Sequence, residues 1–336
     1  MVQERNFMDK HQPGKYWIGF DLGGTKMLAT VYDKDLQPLG SKRRRTRGRD
    51  NTGVESNRIS QTIEKALADA DIDLKNVQGI GVGCPGPIDP EKGVVYEAPN
   101  LGWQDVPLRK TLEKQFGCPA VLANDVDAGV YGEYRFGAGQ SARCVLGVFP
   151  GTGIGGGCVY DGKIFRGRDK SCMEIGHVPV MPDGPLCGCG QRGCLEAVAG
   201  RLAISAATAQ AAYRGAAPHL LREAGTDLAD IRSGALAESI EAGDRAVEKI
   251  VRAAAAHIGT AIAGVVHLLA PDVVVLGGGL VEAMPKLFVG AVETAAREHL
   301  LPSFAVSLKV VPATLGDDST VLGAAAWAEH VISTAC

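Results

Sequence analysis

Apolar residues in this chain recur in short unbroken runs separated by glycine-rich turns, and two of the runs come as pairs. YWIGFDL (Tyr16–Leu22) has the length and β-branched, aromatic content of a buried strand, and it runs into Gly23-Gly24-Thr25-Lys26. The next segment, KMLATVYD, reads as a second strand, where a Walker loop or a dinucleotide fingerprint would open a helix. GGTK is therefore predicted to be a hairpin turn. Farther along the device recurs: CVLGVFPGTGIGGGCVYDGK (Cys144–Lys163) is again an apolar strand, a glycine turn and an apolar strand. Two such units predict an internally duplicated fold with one glycine hairpin per lobe. Gly151, Gly153, Gly155, Gly156 and Gly157 leave backbone N–H groups bare, a concavity that attracts phosphate.

Between and after the hairpins the pattern alternates strands with helices. A helix is predicted from about Ser56 to Ala70, then a buried strand VQGIGVG leading into Cys84-Pro85-Gly86-Pro87. NLGWQD, from Asn100 to Asp105, reads as a loop with an N-cap at Asp105, followed by a helix that ends at Gly117. The strand PAVLA then leads to Asn124 and Asp125. An acid at the C-terminal end of a strand, just before a helix, stands where open α/β sheets hold their ligands. Downstream come a helix over Glu196–Arg214, a long helix from Asp244 to Ala270 closed by Pro271, and the strand VVVLGGG (Val273–Gly279), whose glycine turn has the geometry to receive a nucleoside. Gly316-Asp317-Asp318 forms a last turn before a terminal helix expected to pack on the first lobe.

Length changes this picture only by splitting it: 336 residues exceed what one hydrophobic core sustains, so two lobes are expected. The net charge of -3, with both signs interspersed, calls for neither nucleic acid nor an anionic membrane as partner. The basic run KRRRTRGR (Lys42–Arg49) has no interleaved aromatics and no preceding helix-turn-helix pattern, so it reads as an exposed strand or turn edge. Nine cysteines without framework spacing, and an N-terminal stretch without an apolar h-region, point to a reduced, cytoplasmic protein. The apolar segment Ile250–Ala270 carries Arg252, His257 and His267 and is read as an amphipathic helix, not a membrane span.

One stretch carries distinct chemistry. EIGHVPVMPDGPLCGCGQRGCLE (Glu174–Glu196) sets His177, Cys187, Cys189 and Cys194 among glycines and prolines, a donor set suited to tetrahedral zinc. Four protein ligands leave the ion no open position, so it is expected to hold shape. The carboxylates at the two ends of the stretch, Glu174 and Glu196, are then the groups of interest.

DLGGTK, NDVDAG, GTGIGGG, EIGH, CGCGQRGCLE, VVVLGGG and GDDSTVLGAAA, running in order from Asp21 to Ala326, together resemble the ROK family of sugar kinases and sugar-responsive repressors. The resemblance implies an α/β protein with the actin-like, hexokinase-like ATPase fold, two ribonuclease-H-like lobes around a cleft that closes on the sugar. It implies a small lobe of residues 1–130 plus 316–336 and a large lobe of 131–315. It further implies that Asp21 orders Mg²⁺ through water, that Gly23, Gly24, Thr25 and Lys26 form the first phosphate turn, and that Gly151, Thr152 and Gly153 form the second. Gly277, Gly278 and Gly279 match the adenosine motif. Local sequence leaves Asp125 and Asp127 as rival general bases; the family register picks Asp125, with Asn124 beside it. Gly86, Asn100, Glu174, His177 and Glu196 match sugar-binding positions, and His177 is shared with the zinc.

APNLGWQDVPLR and PDGPLCGCG look most like the bacterial glucokinase branch. That implies ATP-dependent phosphorylation of a hexose at the 6-hydroxyl, glucose first, with N-acetylglucosamine, N-acetylmannosamine or fructose as alternative substrates. ATP, Mg²⁺ and a structural Zn²⁺ are the implied cofactors, and a dimer or tetramer the implied assembly. A repressor of the same family would need a DNA-binding domain ahead of the first strand, and the residues before Tyr16 are too few for one. Gly167–Met173, GRDKSCM, is bulkier and more charged than the small-residue run the family has there, and marks where sugar selectivity is expected to differ.

Overall fold

The computed structural model describes residues 16–46, 52–98, 101–168 and 173–334. The chain divides into two compact units, Met1–Arg135 with Arg166–Ser171 and Asp317–Cys336, and Phe136–Phe165 with Cys172–Gly316. In the first unit the order is β1 (Tyr16–Leu22), β2 (Lys26–Tyr32), β3 (Pro38–Arg45), α1 (Thr52–Ala70), β4 (Val77–Cys84), β5 (Ile88–Asp89), β6 (Val94–Ala98), β7 (Trp103–Val106), α2 (Leu108–Phe116), β8 (Ala120–Asn124) and α3 (Asp125–Phe136). Its main sheet runs β3-β2-β1-β4-β8. The pairs β3/β2 and β2/β1 are antiparallel, whereas β1/β4 and β4/β8 are parallel.

A terminal helix, Ser319–Thr334, lies on this sheet. It comes so close that a Cβ at Gly19 or Gly81 would strike the carbonyls of Val321 and Ala324, so glycine in β1 and β4 is what lets helix and sheet meet. Met27, Ile18, Phe20 and Ile80 are fully buried in a core cluster with Ile59 and Ile63 of α1. β3 forms the sheet edge and carries the exposed residues Lys42, Arg43 and Arg45, as its sequence predicts. Arg47 and Arg49, from the same basic run, lie outside the described residues.

The second unit repeats the plan. β9 (Cys144–Pro150), β10 (Ile154–Tyr160) and β11 (Lys163–Ile164) are followed by the helices α4 (Leu195–Ala199), α5 (Arg201–Tyr213), α6 (Pro218–Ala224), α7 (Ser233–Glu241) and α8 (Arg245–Leu269). β12 (Val273–Leu276), α9 (Gly279–Ala283), α10 (Pro285–Glu298), α11 (Pro302–Ser307) and β13 (Val310–Pro312) complete it. The sheet order is β11-β10-β9-β12-β13, with the same sequence of antiparallel and parallel pairs as in the first unit. Each half therefore opens with a glycine hairpin at the same point of the same sheet, which is the duplication the sequence pattern predicts.

Among the described residues α8 alone is long and apolar enough to cross a membrane. It packs against α10 inside the second unit, and a Cβ at Gly259 would strike the Val292 carbonyl at that crossing. Ala270 ends it in the left-handed region, φ 45°, just ahead of Pro271.

Two local expectations do not hold. NLGWQD is not all loop: Trp103–Val106 is β7, paired with β6 in a three-stranded sheet, with Trp103 and Val106 buried. Asp105 has φ 52° within that strand, and the N-cap of α2 is Pro107 instead. The Gly102 and Asp105 turn residues disguise a short strand whose only apolar positions are its two ends. Likewise the helix expected over 196–214 is two helices, α4 and α5, broken at Gly200 in an extended conformation, φ -65° and ψ 157°. The break lets the start of α5 donate its amides to the second glycine turn, with Arg201 N 2.9 Å from Gly151 O.

Candidate active site

In the first unit the catalytic candidates cluster at the ends of β1 and β8. The 23–26 turn joins β1 and β2 tightly, and a Cβ at Gly23 would sit 2.8 Å from the Lys26 carbonyl. Thr25 and Lys26 are exposed at its tip. Just before the turn, Asp21 has its carboxyl pushed up to about 7, by burial first and then by the negative charges of Asp125 and Asp317; Arg43 opposes the shift. Arg43 Nη1 is itself bonded to Asp317 Oδ2 at 2.8 Å. A carboxylate held at this cost by neighbouring carboxylates gains from a divalent cation.

Asn124 closes β8 and serves as the cap of α3. Its Oδ1 accepts the amides of Val126 at 2.9 Å and Asp127 at 3.3 Å. Capping by Asn124 leaves Asp125, partly exposed at the first turn of the helix, with one oxygen on the Val126 amide at 3.0 Å. The carbonyl of Asp125 accepts from Thr320 Oγ1 at 3.2 Å. Asp127 is 7% exposed and belongs to the buried face of α3. Gly86 has φ +85°, and a Cβ there would strike the Glu97 carbonyl, so glycine is required where β4 turns out of the sheet. Asn100 lies outside the described residues.

In the second unit the glycine turn, the carboxylates and the cysteine loop form one structure. Glu196, on α4, accepts the Ile154 amide at 3.1 Å with Oε2, while its Oε1 stands 3.8 Å from Cys187 Sγ. A Cβ at Gly153 would strike the same carboxylate. Glu174 precedes and His177 ends a single 3-10 turn, Ile175–His177, that is pressed against the start of β10, with Gly176 where a Cβ would meet the Ile154 carbonyl. Both side chains are exposed. Met173, at the end of the unusual lead-in, has φ 58°, and its carbonyl faces Gly156. Residues 169–172 of that lead-in lie outside the described residues.

His177, Cys187, Cys189 and Cys194 converge with one ligand atom each, all within 4.8 Å of one another. Cys187 Sγ is 3.7 Å from His177 Nδ1, and Cys189 Sγ is 3.7 Å from Cys194 Sγ. Metal–sulfur bonds of about 2.3 Å in a tetrahedron give sulfur–sulfur edges of about 3.8 Å, which is this spacing, whereas a disulfide would need about 2.05 Å. The cysteines are free thiols. The loop is shaped by its own backbone: Cys187 N donates to Gln191 O at 2.8 Å and Gly193 N to Pro185 O at 2.9 Å, with Gly190 at φ +89° and Gly193 at φ +73°. The Gln191 amide aims at Cys189 and favours its thiolate. The donor set and its geometry fit a four-coordinate metal.

Gly277 and Gly278 also belong to this neighbourhood. A Cβ at Gly277 would strike the Phe149 ring, and one at Gly278 would lie 2.8 Å from the Pro150 carbonyl, so the 277–279 turn sits directly on the strand that feeds the second glycine turn.

Two residues of the site escape motif reading, Thr46 and Arg201, and a third, Asp317, lies inside the GDDSTVLGAAA motif with no role assigned there. Thr46, 8% exposed, donates its hydroxyl to Gly23 O at 2.8 Å and its amide to Thr25 O at 2.9 Å. Arg201 Nη2 donates to Thr152 Oγ1 at 2.9 Å. Asp317 adds its charge beside Asp21. Thr46 and Arg201 are far in sequence from the turns they brace, so only pairing register could have placed them.

Comparison with known proteins gives a consistent result. Residues 17–331 match the model of the ROK family. A glucokinase of Thermotoga maritima is 36% identical over 310 residues, covering 92% of this chain and 95% of that protein. The crystal structure of a ROK family glucokinase from Streptomyces griseus, in complex with glucose and AMPPNP, superposes with TM-score 0.81 at 31% identity, covering 94% of this chain and 99% of that one. A ROK hexokinase from Thermus thermophilus superposes with TM-score 0.79 at 33% identity, covering 95% of this chain and 99% of that one.

Proposed function

The chain belongs to the ROK family, and on that footing we propose that it transfers the terminal phosphoryl group of ATP to the 6-hydroxyl of glucose. Such a transfer asks the protein for positioning, for neutralisation of charge and for one acceptor of the hydroxyl proton. Asp125 is the acceptor in this reading. It is the more accessible of the two acids at the start of α3, Asn124 beside it caps the Val126 and Asp127 amides, and it stands close enough to Asp21 for their charges to interact. Asn124, Gly86, Asn100, Glu174, His177 and Glu196 hold the sugar hydroxyls. Gly23, Gly24, Thr25 and Lys26 offer one set of donors to the phosphates and Gly151, Thr152 and Gly153 the other, while Gly277, Gly278 and Gly279 leave backbone bare for the adenosine.

Mg²⁺ arriving with the donor would neutralise phosphate charge, with Asp21 to order its water shell. The cysteine loop holds Zn²⁺ in this reading, through His177, Cys187, Cys189 and Cys194. Four protein ligands leave no open position, so the loop is fixed in shape rather than made into a Lewis acid. Free thiols in this number suit a reducing compartment, and we place the enzyme in the cytoplasm. A homodimer or homotetramer is the assembly expected of it.

The observation that carries the reading is the position of Glu196. One carboxylate touches both the second glycine turn and a cysteine of the metal-type cluster. Groups suited to sugar hydroxyls and groups suited to phosphate are thereby held in fixed relation within one unit, as transfer between them requires. The test is a coupled ADP-release assay across glucose, fructose, mannose, N-acetylglucosamine and N-acetylmannosamine. Glucose is expected to give the highest kcat/KM; a higher value with an N-acetylhexosamine reassigns the substrate, and no sugar-dependent ADP release removes the kinase.

A further inference from the structure

We infer that Arg201 is an additional binding residue for the phosphate chain of the donor, presented at the second glycine turn by Thr152. The inference rests on the reading of residues 151–153 as a phosphate turn.

α5 begins at Arg201 and runs for 13 residues. Its first amides are spent on the turn: Arg201 N donates to Gly151 O at 2.9 Å and Leu202 N to Thr152 O at 3.4 Å. In a trans peptide the C=O and the following N–H point in opposite directions, and the described residues contain no cis peptide. Because the carbonyls of Gly151 and Thr152 face the helix, the amides of Thr152 and Gly153 face away from it. Neither amide has an acceptor among the described residues. The bracing therefore aims two bare donors outward, the arrangement that binds an anion.

Electrostatics give the side chain its role. The carboxylate in contact with this turn is Glu196, bonded to the Ile154 amide, and its charge opposes an incoming phosphate. A cation at the turn offsets that charge. Arg201 supplies it: Nη2 is held on Thr152 Oγ1 at 2.9 Å, and the guanidinium is otherwise uncommitted among the described residues. Arginine presents its donors in a planar fork that matches phosphate oxygens, and the bond to Thr152 fixes that fork at the turn, lowering the entropy lost on binding. With its lone pair engaged by Arg201, the Thr152 hydroxyl is left to donate its own proton toward the ligand.

The test compares Arg201→Met, Arg201→Lys and Thr152→Val with the wild type, reading KM for Mg-ATP, KM for glucose, and inhibition by adenosine, which has no phosphate. Arg201→Met is expected to raise KM for Mg-ATP about tenfold, with KM for glucose changed less than about twofold and adenosine inhibition unaltered. Arg201→Lys recovers part of the loss, since the charge stays and the fork goes. Thr152→Val, which frees the guanidinium without removing it, gives a smaller loss than Arg201→Met. An unchanged KM for Mg-ATP in Arg201→Met overturns the inference, as does equal weakening of ATP and adenosine, which is the mark of a brace that only shapes the turn. Wild-type protein that neither binds nor turns over Mg-ATP would instead remove the kinase reading on which the inference stands.

Discussion

Thr46 lies outside the turn that it holds: its hydroxyl donates to the Gly23 carbonyl at 2.8 Å and its amide to the Thr25 carbonyl at 2.9 Å. The hydroxyl is buried, so the isosteric Thr46→Val removes one hydrogen bond and leaves the Gly23 carbonyl one partner short. The expected cost is about 1 kcal/mol in the urea unfolding free energy. KM for Mg-ATP should rise several-fold because the turn loosens, and Thr46→Ser should restore both. Loss of stability in Thr46→Val with an unchanged KM would confine Thr46 to a structural role.

Asp125→Asn keeps the shape of the side chain and removes only the proton acceptor. Glucose affinity measured by calorimetry should stay within a few-fold of the wild type, whereas kcat should fall by roughly 10²–10⁴. An unchanged kcat would take the base assignment away from Asp125.

Metal analysis of purified active protein should find one zinc per chain. Prolonged chelation, or Cys187→Ser, should lower the thermal midpoint and weaken glucose binding together, since the loop that carries His177 and reaches Glu196 through Cys187 loses its fixed shape. Active protein free of zinc would refute the structural-metal assignment.

Asp21 gives the metal-free protein a pH dependence. Burial, Asp125 and Asp317 push its carboxyl from 3.8 up to about 7 against the pull of Arg43. Between these two values the folded chain retains a proton that the unfolded chain has released. Stability of the metal-free protein therefore falls as pH rises through the window. Asp21→Asn removes the penalty: its melting midpoint without metal should exceed the wild type at pH 8, and the difference should shrink toward pH 4. A difference of the same size at both pH values would mean that Asp21 ionises normally.

Much of the fold and of the candidate site is legible in the chain. Both hairpins are visible because a strand, and not a helix, comes after GGTK and GTG, and the cysteine-histidine cluster because His177, Cys187, Cys189 and Cys194 stand among turn residues. Long periodic elements such as α8 declare themselves through their apolar pattern and the proline beyond them. Residues 103–106 hide because a strand with apolar residues only at its ends, and Asp105 at φ 52°, carries no alternation to read. The break at Gly200 hides because α4 and α5 each look helical and the cause of the break is a tertiary contact with the 151–153 turn. Thr46 and Arg201 are silent for the same reason: a threonine inside a basic run and an arginine opening a helix mean nothing until the fold sets them on the glycine turns. Capping of α3 by Asn124 is local enough to be read, yet the carboxylate at 125 competes for that role in sequence and only the structure separates the two.

Identifying the product tests phosphoryl transfer to glucose most directly. Protein incubated with Mg-ATP and ¹³C-labelled glucose should yield glucose 6-phosphate and ADP in equal amounts, followed by carbon and phosphorus NMR in one sample. Phosphate on any other hydroxyl, or ADP formed without a phosphorylated sugar, would contradict transfer to the 6-hydroxyl.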